Sequence, residues 1–195
     1  SKKNLRSLYG RISNACISNK RPEITLNINN DNLATYGNIF DRDISNVNFI
    51  LNFETPAVLP INGSLNNVRI KITGNAPDCP LKGKEINVSG TVSLINAANT
   101  CADINIADSS KFITTGNITG NVNVGKDSSL GLKGNLLGSL KTKSYAEIYI
   151  KGILKYNDIA NNTTDSESIV FGCNSRSKIL GGIVADTSNV VIKQR

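Results

Sequence analysis

The sequence predicts an all-β fold, a single-stranded parallel β-helix (β-solenoid) of roughly eight to nine rungs with an N-terminal amphipathic capping helix. Three observations lead to this prediction. Short segments that alternate apolar and polar residues recur every 18 to 21 residues, with one longer step of 26. The chain holds 28 Asn and 16 Gly, the residues that best tolerate the left-handed backbone of tight corners. Aromatic residues make up only 5% of the chain, which suits a narrow aliphatic interior.

The first recurring element is a short strand of the type NVNF. It returns as NVRI, EINV, DINI and NVNV, and later as EIYI, SIVF and NVVI. Aligning one apolar residue from each unit gives, in order, Val47, Val68, Ile86, Ile104, Val122, Ile148, Ile169 and Val190. The first four steps are 21, 18, 18 and 18 residues, and the last three are 26, 21 and 21. Period-2 alternation buries one face of a strand, so we expect these residues to take equivalent places in a core.

A second element lies between these strands, in which Gly comes just before an apolar pair or alternation. Its copies are SGTVSL, TGNITG, KGNLLG, KGILKY and GGIVAD. Two or three short strands per turn describe a solenoid whose rungs stack in parallel at ~4.8 Å. An immunoglobulin-like sandwich is the competing all-β interpretation, but its hairpins give no reason for an 18-residue recurrence.

The N-terminal region has a helical pattern. The apolar residues Leu5, Leu8, Tyr9, Ile12 and Cys16 are spaced to share one face of a helix, and Pro22 follows. A solenoid leaves an open apolar end that needs a cap. We therefore expect residues 1–21 to form an amphipathic capping helix and residues 22–195 to form the β-helix domain. The chain has no Met, even at position 1, so we also expect it to be part of a longer protein.

This order of helix, Pro, strand and SNVNF-type rungs resembles the pectin-lyase-like right-handed parallel β-helix superfamily. The segments FGCNSRSKILGG and SNVVI resemble the late rungs of bacteriophage tailspike and tail-fibre β-helices. The resemblance implies a receptor-binding module that recognises a bacterial surface polysaccharide, assembles as a homotrimer and is located in a virion tail or at a cell surface.

The net charge of +7 is concentrated at the N-terminus. Six basic residues, Lys2, Lys3, Arg6, Arg11, Lys20 and Arg21, precede the first acidic residue, Glu23. The remainder holds 16 basic and 15 acidic residues and is nearly neutral. A nucleic-acid-binding domain usually carries a basic stripe over its folded surface, so we expect no nucleic-acid partner. No apolar run approaches the ~20 residues of a membrane span, so we expect no membrane insertion.

The chain contains no His, which excludes Ser-His-Asp and Cys-His catalysis. Its four Cys show no CxxC spacing, so we expect no metal site, and no other motif indicates a cofactor. Glycosidases need only two carboxylates at a suitable separation. Asp103, Asp108 and Glu147 are therefore weak candidates for catalytic residues of a polysaccharide hydrolase or lyase. Aspartates at corners are also ordinary turn residues, so a structural role stays open.

The segment SYAEIYIKG at 144–152 is the best candidate for sugar binding. If Ile148 and Ile150 point inward, the outward side chains are those of Tyr145, Glu147, Tyr149 and Lys151. Aromatic rings flanked by hydrogen-bonding groups suit the apolar faces of sugars. The predicted glycan-binding residues are these four with Tyr156 and Asp158, which follow closely. An ordinary exposed strand or a contact within an oligomer are the alternatives.

The cysteines allow one bridge between neighbouring rungs. Cys79 and Cys101 are 22 residues apart, about one rung, so a disulfide between stacked loops is sterically allowed. Cys16 and Cys173 fall near opposite ends of the proposed stack and cannot reach each other, since a disulfide needs Cα atoms within ~7 Å. Four free thiols are an equally good interpretation of the spacing.

A rigid β-helix with few special residues is typical of a display and binding scaffold, which favours a receptor-binding or adhesion function over an enzyme. Two alternatives belong to other classes. One is a polysaccharide depolymerase that uses carboxylates on a β-helix face. The other is a structural stalk, such as a cell-surface adhesin or a bactofilin-like polymer, to which the short regular rung GNITGNVNVG is similar.

Overall fold

The computed structural model describes residues 21–143 and 145–150, and beyond them the backbone of the strands at 153–155, 159–161, 168–172, 178–180 and 190–194. The fold is a parallel β-solenoid built mostly of strands, as the sequence predicts. All the strand pairs of the described residues are parallel, and each strand pairs with a strand of a neighbouring coil. The predicted capping helix at 1–21 lies almost entirely outside the described residues.

Sheet 1 contains nine strands of the described chain, in sequence order across the sheet. They are β1 (Glu23–Ile28), β3 (Asn48–Phe53), β6 (Arg69–Gly74), β8 (Thr91–Ile95), β10 (Lys111–Thr114), β13 (Ser129–Leu132), β16 (Glu147–Ile150), β19 (Ser168–Gly172) and β21 (Val190–Gln194).

Sheet 2 contains twelve shorter or bent strands of the described chain. They are β2 (Ile44–Ser45), β4 (Leu59–Pro60), β5 (Leu65–Asn66), β7 (Leu81–Ser89), β9 (Asn99–Ile106), β11 (Asn117–Thr119), β12 (Val122–Val124), β14 (Leu136–Leu137), β15 (Leu140–Thr142), β17 (Ile153–Lys155), β18 (Ile159–Asn161) and β20 (Lys178–Leu180). The long strands β7 and β9 each pair with two shorter strands of a neighbouring coil, so one coil can contribute two segments to this sheet.

The aliphatic core is a stack of side chains from consecutive coils. Ile86, Ile104, Val122 and Leu140 are paired in register and are fully buried. Burial of one such side chain contributes about 1.5–3 kcal/mol to folding, so a column of this kind stabilises the stack strongly. The period-2 alternation seen in the sequence therefore does identify the inward-facing residues.

The single column that the sequence suggested is in fact divided between two sheets. Val47 and Val68 lie next to strands of sheet 1, whereas Ile86, Ile104 and Val122 belong to sheet 2. The alignment of the later units is also wrong by one residue, because Ile148 pairs with Val170 and Ile169 pairs with Val191. Both sheets use the same apolar alternation, so the local pattern cannot say to which sheet a strand belongs.

A short helix, α1 (Leu33–Phe40), is the one departure from an all-β fold in the described part of the chain. It lies between β1 and β2 and packs against β1 and β4. Its inward residues include Phe40, whose ring centroid is 5.2 Å from that of Phe49 in β3. The helix follows a turn in which Asn29 Oδ1 accepts hydrogen bonds from the backbone N–H groups of Asp31 and Asn32.

Candidate functional site: a polar corner groove

The chain turns a corner just before each of the sheet 1 strands β3, β6, β8, β10, β13 and β16. Each of these corners holds one residue in the left-handed backbone conformation. The residues, with their φ values, are Asn46 (60°), Asn67 (52°), Gly90 (61°), Ser109 (53°), Asp127 (54°) and Tyr145 (58°). Asn, Asp and Gly are the residues that adopt this conformation at least cost. Tyr145 is the bulky exception, and the occupation of such a corner by an aromatic residue calls for an explanation.

Tyr145 is also highly exposed, with 57% of its surface accessible. The sequence suggested that it shares an outward strand with Glu147, but β16 begins only at Glu147 and Tyr145 lies in the turn before it. Glu147 is exposed and Ile148 is fully buried, as the alternation predicts. The ring of Tyr145 is therefore displayed from a corner of the solenoid and not from the face of a sheet.

The other predicted glycan-binding residues are described only in part. Tyr149 lies in β16, where its backbone pairs with Gly131, and its side chain lies outside the described residues. Lys151, Tyr156 and Asp158 also lie outside them. Their role in glycan binding stays a prediction.

Two of the predicted catalytic carboxylates are engaged in holding neighbouring coils together. Asp103 Oδ1 accepts a hydrogen bond of 2.8 Å from the backbone N–H of Asn121. Asp108 Oδ1 accepts one of 2.8 Å from the backbone N–H of Lys126. Both acceptors lie 18 residues before their donors, which is one coil of the solenoid.

The same corner bond is made elsewhere by other residues with a side-chain oxygen. Asn121 Oδ1 accepts from the N–H of Ser139, and Asn117 Oδ1 accepts from the N–H of Asn135. Asp43 Oδ1 accepts from the N–H of Ser64, and this bond lowers the pKa of Asp43 below its ordinary value of 3.8. Asparagine fills the role as well as aspartate does, so the bond needs an oxygen acceptor and does not need a catalytic acid.

The outer face of sheet 2 carries a ladder of amide side chains. Asn105 Nδ2 donates to Asn87 Oδ1 at 3.1 Å, and Asn123 Nδ2 donates to Asn105 Oδ1 at 2.7 Å. Asn105 Nδ2 also contacts Glu85 Oε1. Lys141 takes the next register position after Asn123. Because each amide donates toward the preceding coil, Asn123 Oδ1 is the acceptor at the end of the ladder that leads to Lys141.

A groove opens where this ladder meets the corner that leads into sheet 1. We call it the corner groove and define it by Asn105, Asp108, Asn123, Gly125, Lys141 and Lys143, which line it together with Ile106, Ala107, Val124 and Thr142. Its volume is about 290 Å³. Gly125 forms part of its wall, and a Cβ atom there would lie 2.6 Å from the backbone carbon of Ala107, so only glycine fits. Tyr145 follows Lys143 by two residues along the chain.

The part of the chain that supplies most of the corner groove is markedly basic. Residues 109–146 contain five Lys, one Asp and no Arg or Glu, whereas residues 21–108 contain six basic and nine acidic residues. All five of these lysines are exposed. The nearly neutral balance of the whole body therefore conceals a positive segment between 109 and 146.

The 18-residue recurrence contains the signal that would have found the corner groove. Asn105, Asn123 and Lys141 recur at this spacing with outward side chains. Each of them directly follows one residue of the buried column to which Ile104 belongs. Sequence reasoning used the spacing for the apolar residues alone. The sugar site was expected among aromatic residues, which led to Tyr145 and left out the amides and lysines of the corner groove.

Cys79 and Cys101 are joined as a disulfide, with their Cα atoms 5.8 Å apart. The bridge links the loop before β7 to β9 of the next coil. This distance lies within the ~7 Å that a disulfide allows. The oxidised state of the two thiols in solution stays a prediction.

Among the described residues, no group of three or more His, Cys, Asp or Glu side chains is arranged to hold a metal ion. No helix in this part of the chain has the length and apolar character needed to cross a membrane. Comparison with known proteins finds no matching family model, no matching curated protein and no matching solved structure.

Proposed function

We propose that this chain is a rigid receptor-binding or adhesion module of the phage tailspike or tail-fibre kind, which recognises a bacterial surface polysaccharide. The observation that carries the proposal is Tyr145, a bulky exposed ring held in a left-handed corner where the other coils use Asn, Gly, Ser or Asp. A left-handed conformation costs a non-glycine residue about 1–2 kcal/mol. A ring kept there at that cost suits stacking on the apolar face of a sugar.

The fold supports binding more than catalysis. In the proposed module, roughly eight to nine rungs of the right-handed pectin-lyase-like type stack into a stalk, the helix at 1–21 caps its first coil, and three chains associate in a virion tail or at a cell surface. Asp103 and Asp108 each accept a hydrogen bond from a backbone N–H of the next coil, which counts against their use as a general acid and base.

The first test is incubation of the protein with a panel of bacterial surface polysaccharides, with bound and shortened polymer followed together by size-exclusion chromatography. We expect binding without shortening. Shortened polymer would favour the depolymerase, and Glu147 would then be the first carboxylate to replace. A folded protein that binds no polysaccharide of the panel would refute the receptor function and leave the structural stalk.

The variant Tyr145→Asn distinguishes the contribution of the ring to binding from its contribution to stability. Asn tolerates the left-handed conformation, so we expect the free energy of unfolding to stay the same or to rise by about 1 kcal/mol. Loss of the stacked ring should weaken polysaccharide binding about tenfold. Asp127→Asn is the matched control, because it changes the equivalent corner one coil earlier without removing a ring. Equal binding by wild type and Tyr145→Asn would exclude Tyr145 from the site.

A further inference from the structure

The corner groove combines three features that belong to different parts of the fold. It has hydrogen-bonding amides on consecutive coils, exposed ammonium groups and a wall that only glycine can form. Amide groups can donate to and accept from sugar hydroxyls, and ammonium groups pair with carboxylates. We propose that the corner groove binds an acidic polysaccharide and that Lys141 pairs with a sugar carboxylate there.

The register of the strands gives the groove its direction. Asn105, Asn123 and Lys141 follow one another at the ~4.8 Å spacing of parallel strands, so they form a row along the solenoid axis. Each amide of the row donates a hydrogen bond to the preceding coil, so Asn123 Oδ1 lies at the end of the row next to Lys141. A polymer lying along the row meets hydroxyl-binding groups first and the ammonium group of Lys141 next.

Charge supports an anionic ligand over a neutral one. Six of the ten residues that line the groove belong to the segment 109–146, which holds five lysines and one aspartate. The carboxylate of the groove, Asp108, already accepts the backbone N–H of Lys126. The two lysines that line the groove, Lys141 and Lys143, outnumber its one carboxylate, which raises the local concentration of an anionic polymer.

This inference rests on the proposed function and names the chemical class of its ligand. It places the charged part of the ligand in the corner groove and the stacked sugar at Tyr145, which begins the corner just after Lys143. The proposal predicts that charge and ring contribute separately, since the two groups would contact different parts of the polymer.

The experiment takes each polysaccharide that binds in the size-exclusion assay and compares it with its carboxyl-reduced form, in which uronic acids have become neutral sugars. We expect the bound polymers to be acidic and carboxyl reduction to weaken binding about tenfold or more. The inference is overturned, with the receptor function intact, if a bound polymer is neutral or if its reduced form binds equally well. If no polymer binds, both proposals fail.

Variants locate the effect in the groove. Lys141→Gln should weaken binding of the acidic polymer about tenfold and leave any binding of the reduced polymer unchanged. Lys133→Gln is the matched control, because Lys133 is also exposed and in the same basic segment but follows β13 at another corner. Both substitutions are on the surface, and urea unfolding checks that both variants fold. Equal effects of the two variants would mean that only the net charge matters, which would overturn the site.

Discussion

Asp103 Oδ1 accepts the backbone N–H of Asn121 at 2.8 Å, and Asn121 Oδ1 in turn accepts the backbone N–H of Ser139 at 3.0 Å. Three consecutive coils are thus joined at one corner by side-chain oxygens. Glycine precedes both donors at this corner, because a Cβ at Gly120 would lie 2.0 Å from Ala102 O and one at Gly138 would lie 1.9 Å from Gly120 O. The close approach of the coils and the hydrogen bond between them therefore occur together at this corner.

Replacement of Asp103 tests whether its carboxylate is structural. Asp103→Ala removes the acceptor of the Asn121 N–H and should lower the free energy of unfolding by about 1–3 kcal/mol. Asp103→Asn keeps an oxygen at the same place, as Asn121 does one coil later, and should change stability by less than about 1 kcal/mol. Urea unfolding measures both. Equal destabilisation by the two variants would show that the charge is what matters.

Two buried threonines allow the energetic cost of an unpaired buried hydroxyl to be measured, because one hydroxyl has a hydrogen-bond partner and the other has none among the described residues. Thr100 Oγ1 is buried and has no hydrogen-bond partner among the described residues, in a column shared with Leu81 and Ile118. Thr114 is equally buried, but its Oγ1 accepts the N–H of Gly116 at 3.3 Å. We expect Thr100→Val to stabilise the protein by about 1 kcal/mol and Thr114→Val to destabilise it by about the same amount.

Thermal or urea unfolding of these two variants gives the comparison. The interpretation of Thr100 is wrong if Thr100→Val lowers the free energy of unfolding, since a loss would mean that its hydroxyl has a partner in solution, such as a buried water.

The disulfide is tested by counting thiols. The chain has four Cys, so oxidised protein should take up two alkylating groups under denaturing conditions and four after reduction. Closing a loop of 22 residues removes unfolded-state entropy worth about 3 kcal/mol, so reductant should lower the free energy of unfolding by that order. The double variant Cys79→Ala, Cys101→Ala should be insensitive to reductant. Four alkylations without reduction would show that the thiols are free.

We expect Asp43 to make the free energy of unfolding depend on pH in the acid range. Its hydrogen bonds with Ser64 lower its pKa in the folded state below the ordinary value of 3.8. The unfolded chain therefore binds the proton more readily, and the contribution of Asp43 is complete above pH 3.8 and is lost as the pH falls through the lowered pKa. Asp43→Asn, which cannot titrate, should flatten this part of the profile of stability against pH.

The control for the acid profile is Asp127→Asn at an exposed corner, measured by urea unfolding over the same pH range. The difference in slope between wild type and Asp43→Asn should appear only at acid pH and should disappear near neutrality. An unchanged slope in Asp43→Asn would contradict the assigned role of the Ser64 hydrogen bond.

The sequence by itself determined that this chain forms a parallel β-solenoid and which residues face the core. Alternation with period 2 is a local property of a strand. Ile104 and Val122, which lie 18 residues apart in sequence, are register partners in the sheet. The corner chemistry was equally visible in the abundance of Asn and Gly, since the left-handed conformation and the close approach of coils are demands on single residues.

Only the tertiary structure decided which strands pair and what the outer residues do. Val68 and Ile86 have similar sequence contexts, but Val68 directly precedes a strand of sheet 1 and Ile86 lies in a strand of sheet 2, because sheet membership depends on where the chain turns. Helix α1 was missed because its burial comes from contacts such as that of Phe40 with Phe49, 9 residues apart in sequence and in different elements. The corner groove requires three coils to be superimposed, so that Asn105, Asn123 and Lys141 become neighbours only when the solenoid is wound.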